Sequence, residues 1–139
     1  MKVLVVDDDA TARELLTSEL TEAGYDVLSL PSPIGVTRFV QEQNIDVVII
    51  DVLMPSLRGD RLAKLLRGNP KFAKLVVVLV SGESDLELQQ LSSAVGADAV
   101  ISKGEIRGRL AGTVRAAVLA RATKSGEAPR SAGSSGSRK

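Results

Sequence analysis

The sequence predicts an α/β protein with a doubly wound parallel sheet. Two observations carry that prediction. Five short aliphatic runs alternate with segments of helical spacing, and most of the runs are apolar at consecutive positions rather than at every second one. Strands buried on both faces by helices read this way, and a strand–helix–strand rhythm calls for right-handed crossovers.

The strand candidates are Val3 to Val6, Val27 to Leu30, Val47 to Ile50, Leu75 to Val80 and Ala99 to Ile101, each too short for a helix and most of them rich in β-branched residues. Between the first two, Ala12, Leu15, Leu16, Leu20 and Ala23 form one apolar stripe that stops at Gly24, a natural helix C-cap. Ser84 with Glu87 three residues on makes a capping box, which opens a helix through Leu88, Leu91 and Val95. Ile106, Leu110, Val114 and Val118 mark a last helix at four-residue intervals. Past Arg121 the rhythm stops. The expected organisation is a domain over 1–121 and a disordered basic Ser/Gly-rich tail over 122–139.

Composition narrows the chemistry. The 139 residues include no cysteine and no histidine, so thiolate metal sites and imidazole bases are excluded and chemistry must run on carboxylates, hydroxyls and amines. With no Trp, one Tyr and two Phe there is little for base stacking, and no nucleic-acid partner is expected. No apolar run approaches a membrane span and no signal-peptide pattern opens the chain, so the expectation is a cytoplasmic protein without membrane contact. Residues 1–120 hold 13 Lys/Arg against 16 Asp/Glu, while 121–139 hold 5 against 1; the body is mildly acidic and the end is basic. Arg107, Arg109 and Arg115 read as a solvated helix face.

Ligands of open parallel sheets bind outside the carboxyl ends of the strands. Here those ends carry Asp7, Asp8 and Asp9 after the first run, Asp51 after the third, Ser81 after the fourth and Lys103 after the fifth. Taken singly, a strand-end Asp is a turn or cap residue and Ser81-Gly82 is turn chemistry. Together they place carboxylates, a hydroxyl and an amine at one edge of the sheet. Clustered carboxylates repel unless a cation sits among them, and a hard divalent ion such as Mg²⁺ suits such a pocket. One carboxylate could then attack phosphorus while the ammonium and the hydroxyl hold the transferring oxygens.

The set Val-Val-Asp-Asp, Asp51 followed by Met54-Pro55 and Gly59, a hydroxyl closing the fourth strand and a lysine closing the fifth resembles the receiver domains of two-component response regulators, over roughly residues 1–121. The resemblance implies a flavodoxin-like sheet in the order 2-1-3-4-5 and a chemotaxis-regulator-like single domain. It implies Asp51 as phosphoacceptor and Asp8 and Asp51 as direct Mg²⁺ ligands. Asp7 would be a ligand through water, the Leu53 carbonyl a third protein ligand, and Ser81 and Lys103 holders of the phosphoryl oxygens. Asp9 matches no functional position and reads as loop or helix-start charge, and Met54-Pro55 to Gly59 reads as a shaped turn. Implied partners are a sensor histidine kinase or phosphotransfer protein, and a downstream protein reached through the Ser84–Val95 helix, the fifth strand and the last helix.

Three positions depart from the family. Gly104 stands where proline, joined by a cis bond, usually follows the lysine; because a non-proline cis peptide costs about 2.5 to 4 kcal/mol, a trans bond is expected. Val100 stands where an aromatic ring usually reports movement of the hydroxyl, so that relay is absent. Arg58, just before Gly59, replaces a small or acidic residue.

Two rival readings stay open. Asp7, Asp9 and Thr11, with Ser81 and Lys103, also resemble the motifs of haloacid-dehalogenase-type phosphatases, but the acidic pair that family needs after its lysine is reduced to Glu105 and Glu127, and Asp51 goes unexplained. The other rival is a receiver fold that docks partners with little or no dependence on phosphorylation. A dinucleotide-binding fold is disfavoured, since no Gly-x-Gly-x-x-Gly follows the first strand.

Overall fold

The structure, a computed structural model, describes residues 1–82, 90 and 93–124, the last of these in its backbone only. Five parallel strands, β1 (Lys2–Val6), β2 (Asp26–Leu30), β3 (Val47–Asp51), β4 (Val76–Ser81) and β5 (Ala99–Ser102), form one sheet in the order β2-β1-β3-β4-β5. The described helices are α1 (Ala10–Glu22), α2 (Val36–Glu42), α3 (Gly59–Arg67) and α4 (Ile106–Lys124), with single 3₁₀ turns at Pro70–Phe72 and Lys103–Glu105. The strand order is the one the resemblance implied.

The consecutive apolar residues divide between two faces, because successive side chains on a strand point oppositely. Leu4, Val6, Val48, Ile50, Val77 and Leu79 pack with Val36 and Val40 of α2 and with Leu62, Ala63 and Leu66 of α3. Val3, Val5, Val47, Ile49, Val76 and Val78 pack with Leu16 and Leu20 of α1 and with Leu110, Val114 and Ala117 of α4. Two cores, one on each face, make the central strands unreadable as alternating patterns.

Several local expectations are met. The α1 helix is followed by Gly24 at φ +96°, a left-handed turn that glycine adopts without a Cβ penalty. Asp9 caps the start of α1, its Oδ2 accepting the Ala12 N–H at 3.0 Å. Arg107, Arg109 and Arg115 are exposed. Ile106 is buried, but the helix it was expected to open is interrupted at once: Arg107 is extended (ψ 124°) and Gly108 is left-handed (φ +79°). The Gly108 N–H donates to Glu19 Oε1 of α1 at 3.1 Å, so the break docks α4 against α1. Four-residue spacing cannot reveal such a break, since Ile106 stays on the apolar side across it. The Ser84–Val95 helix with its capping pair falls largely outside the described residues, although positions 93–95 are helical. Of the stretch expected to be a disordered tail, 122–124 form the end of α4, three residues past the expected boundary, and the rest lies outside the described residues.

The opposite end of the sheet holds a charged cluster that sequence reasoning missed. Asp98, just before β5, accepts Arg67 Nη2 at 2.7 Å, Arg121 Nη2 at 2.6 Å and the Val77 N–H at 2.9 Å. Arg67 also donates to the carbonyls of Gly96, Phe72 and Leu75. One guanidinium thus ties α3 to the connections entering β4 and β5, and its pKa is lowered by burial against the opposing pull of Asp98.

Candidate functional site

Register builds the site. Val6 pairs with Ile50, so the next residues, Asp7 and Asp51, leave adjacent parallel strands side by side, about 4.8 Å apart in the pairing direction. Asp8 follows on the loop into α1. Asp7, Asp8 and Asp51 each offer a carboxylate oxygen within 4.8 Å of the others. Asp7 and Asp51 are buried, and Asp8 is exposed at the mouth. Lys103, on the turn after β5, brings Nζ to 3.5 Å from Asp51 Oδ1. Ser81 ends β4 fully buried, one residue beyond Val80, the partner of Asp51 in the register.

The polar accounting of this cluster is uneven. Asp7 Oδ1 accepts the Asp9 N–H at 2.9 Å, whereas Asp7 Oδ2 is buried with no hydrogen-bond partner among the described residues. Buried carboxylate oxygens are costly to leave unsatisfied. An oxygen-seeking cation between Asp7, Asp8 and Asp51 would satisfy it, and the donor set is of the hard-oxygen kind that Mg²⁺ selects. The residues present therefore fit a divalent ion.

Electrostatics agree. The Asp51 carboxyl is raised from its ordinary 3.8 to about 6, chiefly by burial and then by the neighbouring Asp7 charge, against the pull of Lys103 and of the Leu53 N–H, which donates to Oδ1 at 3.4 Å. A folded-state pKa above the unfolded one means that the folded protein holds the proton more tightly. Without a metal, the contribution of Asp51 to stability is then fully present below about pH 4 and is lost as pH rises through about 6. At pH 7 in chelator, Asp51→Asn should therefore stabilise the fold by about 1 to 3 kcal/mol in urea unfolding. Equal or lower stability of that variant would contradict this electrostatic account.

The loop between β3 and α3 is shaped by contact. Gly59 donates its N–H to the Val52 carbonyl at 2.8 Å, and a Cβ on it would sit 2.1 Å from the Asp51 carbonyl oxygen. The Met54-Pro55 to Gly59 turn thus presses directly on the backbone of Asp51. Leu53 is exposed, Met54 is buried in the core, and Arg58 pairs with Asp60 at 3.0 Å. No peptide bond among the described residues is cis, so Lys103–Gly104 is trans as expected. Val100 packs partly buried against the core shared with Leu79, and no ring stands there. Glu105 is engaged by Ser102 at 3.0 Å and by Arg109 at 2.6 Å, and Glu127, the other acidic residue after the lysine, lies outside the described residues.

A doubly wound parallel sheet in this order, with acidic residues at the ends of β1 and β3 and a lysine after β5, defines a receiver-type α/β domain. The family model described as "Response regulator receiver domain" matches residues 3–115, and the chain belongs to that family. Among curated relatives, it is 32% identical to the probable chemotaxis protein CheY of Rhizobium etli, over 74% of this chain and 81% of that protein. It is 25% identical to the protein PilG of Pseudomonas aeruginosa, over 85% of this chain and 87% of that one. Other relatives are longer, and the chain spans 42% of one and 16% of another. Among solved structures, the chemotaxis response regulator CheY4 of Vibrio cholerae superposes with a TM-score of 0.76 at 28% identity, covering 84% of this chain and 97% of that one. The response regulator protein TrrA of Thermotoga maritima, in complex with Mg²⁺-BeF, does so with a TM-score of 0.72 at 29% identity, covering 84% and 97%. Receiver domains are signalling domains rather than classical enzymes. Among the described residues no helix is long and apolar enough to cross a membrane.

Proposed function

We propose that this CheY-like receiver accepts a phosphoryl group on Asp51 from a histidine kinase or phosphotransfer protein, in a Mg²⁺-dependent reaction, and signals in the cytoplasm by binding a partner. The observation that carries the reading is the meeting of Asp7, Asp8 and Asp51 oxygens within 4.8 Å, with Lys103 at 3.5 Å from Asp51. Asp8, Asp51 and the Leu53 carbonyl would hold the ion directly, and Asp7 through water. When bound, Mg²⁺ neutralises charge on the phosphoryl oxygens.

The chain's own groups do the rest. An Asp51 carboxylate oxygen forms the new P–O bond as the donor's P–N bond breaks, its electron pair staying on the leaving nitrogen, which takes up a proton. Lys103, half-exposed and already beside Asp51, neutralises one equatorial oxygen. The Ser81 hydroxyl at the end of β4 donates to another. Water later attacks the acyl phosphate in a self-catalysed step, releasing inorganic phosphate and returning the Asp51 carboxylate. The receiver would run through the end of α4 at Lys124, with a basic tail beyond it; the downstream partner would read the segment from Ser84 to Val95, β5 and α4.

Incubating the protein with Mg²⁺ and a small acyl phosphate, then measuring intact mass, tests the reading. One added phosphoryl group is expected, lost in Asp51→Ala and in chelator. No added mass, or an addition that survives Asp51→Ala, would remove it.

A second reading is favoured by Val100, which packs against the core where a switching ring would stand. A docking receiver whose partner ignores phosphorylation would bind that partner equally with phosphodonor and as Asp51→Ala.

A further inference from the structure

The loop that carries Asp7 and Asp8 is tied down by a residue that neither the motif reading nor the comparisons single out. Arg13, in the first turns of α1, reaches back so that Nη1 donates to the Asp7 carbonyl at 2.7 Å. Other groups of the loop are held by backbone or by short side chains. The Asp7 N–H donates to the Leu30 carbonyl, the Asp9 N–H to Asp7 Oδ1 and the Ala12 N–H to Asp9 Oδ2. The Arg13 bond acts on the peptide unit between Asp7 and Asp8. That unit is planar, so fixing the direction of its carbonyl fixes the direction in which the chain leaves toward the Asp8 Cα. Asp8 is exposed, yet its carboxylate meets the buried ones of Asp7 and Asp51.

We infer that Arg13 is a positioning residue for the metal pocket: it orients the Asp7–Asp8 peptide so that the Asp8 carboxylate joins those of Asp7 and Asp51, and Mg²⁺ affinity depends on it. The inference rests on the reading of that pocket as a Mg²⁺ site. Its sign separates it from simple electrostatics. A guanidinium is a cation beside a cation site, so on Coulomb's law alone its removal would tighten Mg²⁺. Positioning predicts the reverse, in the range by which partners of metal ligands usually act.

The test is a calorimetric titration of the chelator-treated 139-residue chain with MgCl₂, as wild type, Arg13→Ala and Arg13→Lys. Arg13→Ala should bind about tenfold more weakly. Arg13→Lys, which keeps a donor and the charge, should recover most of that loss. In ion-free amide NMR spectra of Arg13→Ala, signals of Asp7, Asp8 and Asp9 should move while those of Val76, Val77 and Val78 stay, which separates a local effect from general loss of fold. Mg²⁺ binding in Arg13→Ala as tight as in wild type, or tighter, overturns the inference. A wild type that does not bind Mg²⁺ brings down the pocket reading itself, and this inference with it.

Discussion

Replacing Asp98 by alanine should lower stability by about 3 to 5 kcal/mol, with a fall in melting temperature of about 10 °C or more. The side chain of Asp98 is only 4% exposed, and those of Arg67 and Arg121 are 18% and 17% exposed. Its two oxygens take Arg67 Nη2, the Val77 N–H and both Nε and Nη2 of Arg121. Alanine would leave two sequestered cations and one strand N–H without this acceptor, and the loss of one member of a buried ion cluster costs far more than the loss of an exposed pair. Arg38→Ala, which breaks an ion pair between well-exposed side chains at 2.9 Å, should change stability by about 0.5 kcal/mol or less. Asp98→Asn should fall between the two, since it keeps an acceptor oxygen. The cluster sits at the amino end of β5 and the acidic pocket beyond the carboxyl ends, so Asp98→Ala should still accept a phosphoryl group well below its melting temperature. Denaturant unfolding of the three variants side by side checks the ranking, and an Asp98→Ala as mild as Arg38→Ala would contradict it.

Gly59→Ala should damage fold and chemistry together. The added methyl would lie 2.1 Å from the Asp51 carbonyl oxygen and 2.7 Å from Ile50 Cγ2, so either α3 or the end of β3 must give way. Overpacking of a close-packed contact costs about 1 to 3 kcal/mol, and here the obstacle is backbone, which gives least. Where the end of β3 gives way, Asp51 shifts relative to Asp7 and Lys103. Misplacing a reacting group by about 1 Å can cost about a hundredfold in rate, so Gly59→Ala should label with an acyl phosphate about a hundred times more slowly. Time courses of intact mass give the rate, and unfolding at the same temperature gives the stability. A Gly59→Ala that labels at the wild-type rate would show that the turn is not what holds Asp51.

Much of this was legible in the sequence because the fold turns position along the chain into position in space. Asp7, Asp51, Ser81 and Lys103 each follow an aliphatic run, and in a parallel sheet all such ends lie on one edge. Asp9 reads only as loop or helix-start charge in the sequence, and the structure makes it the cap of α1, a local event settled within three residues. Long-range contacts were not legible. Asp98 meets Arg67 and Arg121 from three separate elements, and alone it is an ordinary residue before a strand. Arg121 marked only where helical spacing ran out, although its guanidinium closes the cluster. Gly59 reads in the sequence as the end of a shaped turn, and only its closeness to the Asp51 carbonyl shows that the turn braces the site. Arg13 sat unremarked on the α1 helix, since a side chain reaching back to a carbonyl six residues earlier leaves no periodic trace.

Asp51, and no other group, should form the acyl phosphate. Borohydride reduction of protein labelled with a small acyl phosphate and Mg²⁺, followed by peptide mass mapping, tests it most directly, because reduction converts a phosphorylated aspartate to homoserine and leaves free carboxylates alone. Homoserine at position 51 alone, absent when the phosphodonor or Mg²⁺ is withheld, is the predicted result. Homoserine at Asp7, Asp8 or Asp9, or none at position 51 in protein that has gained a phosphoryl group, would contradict it.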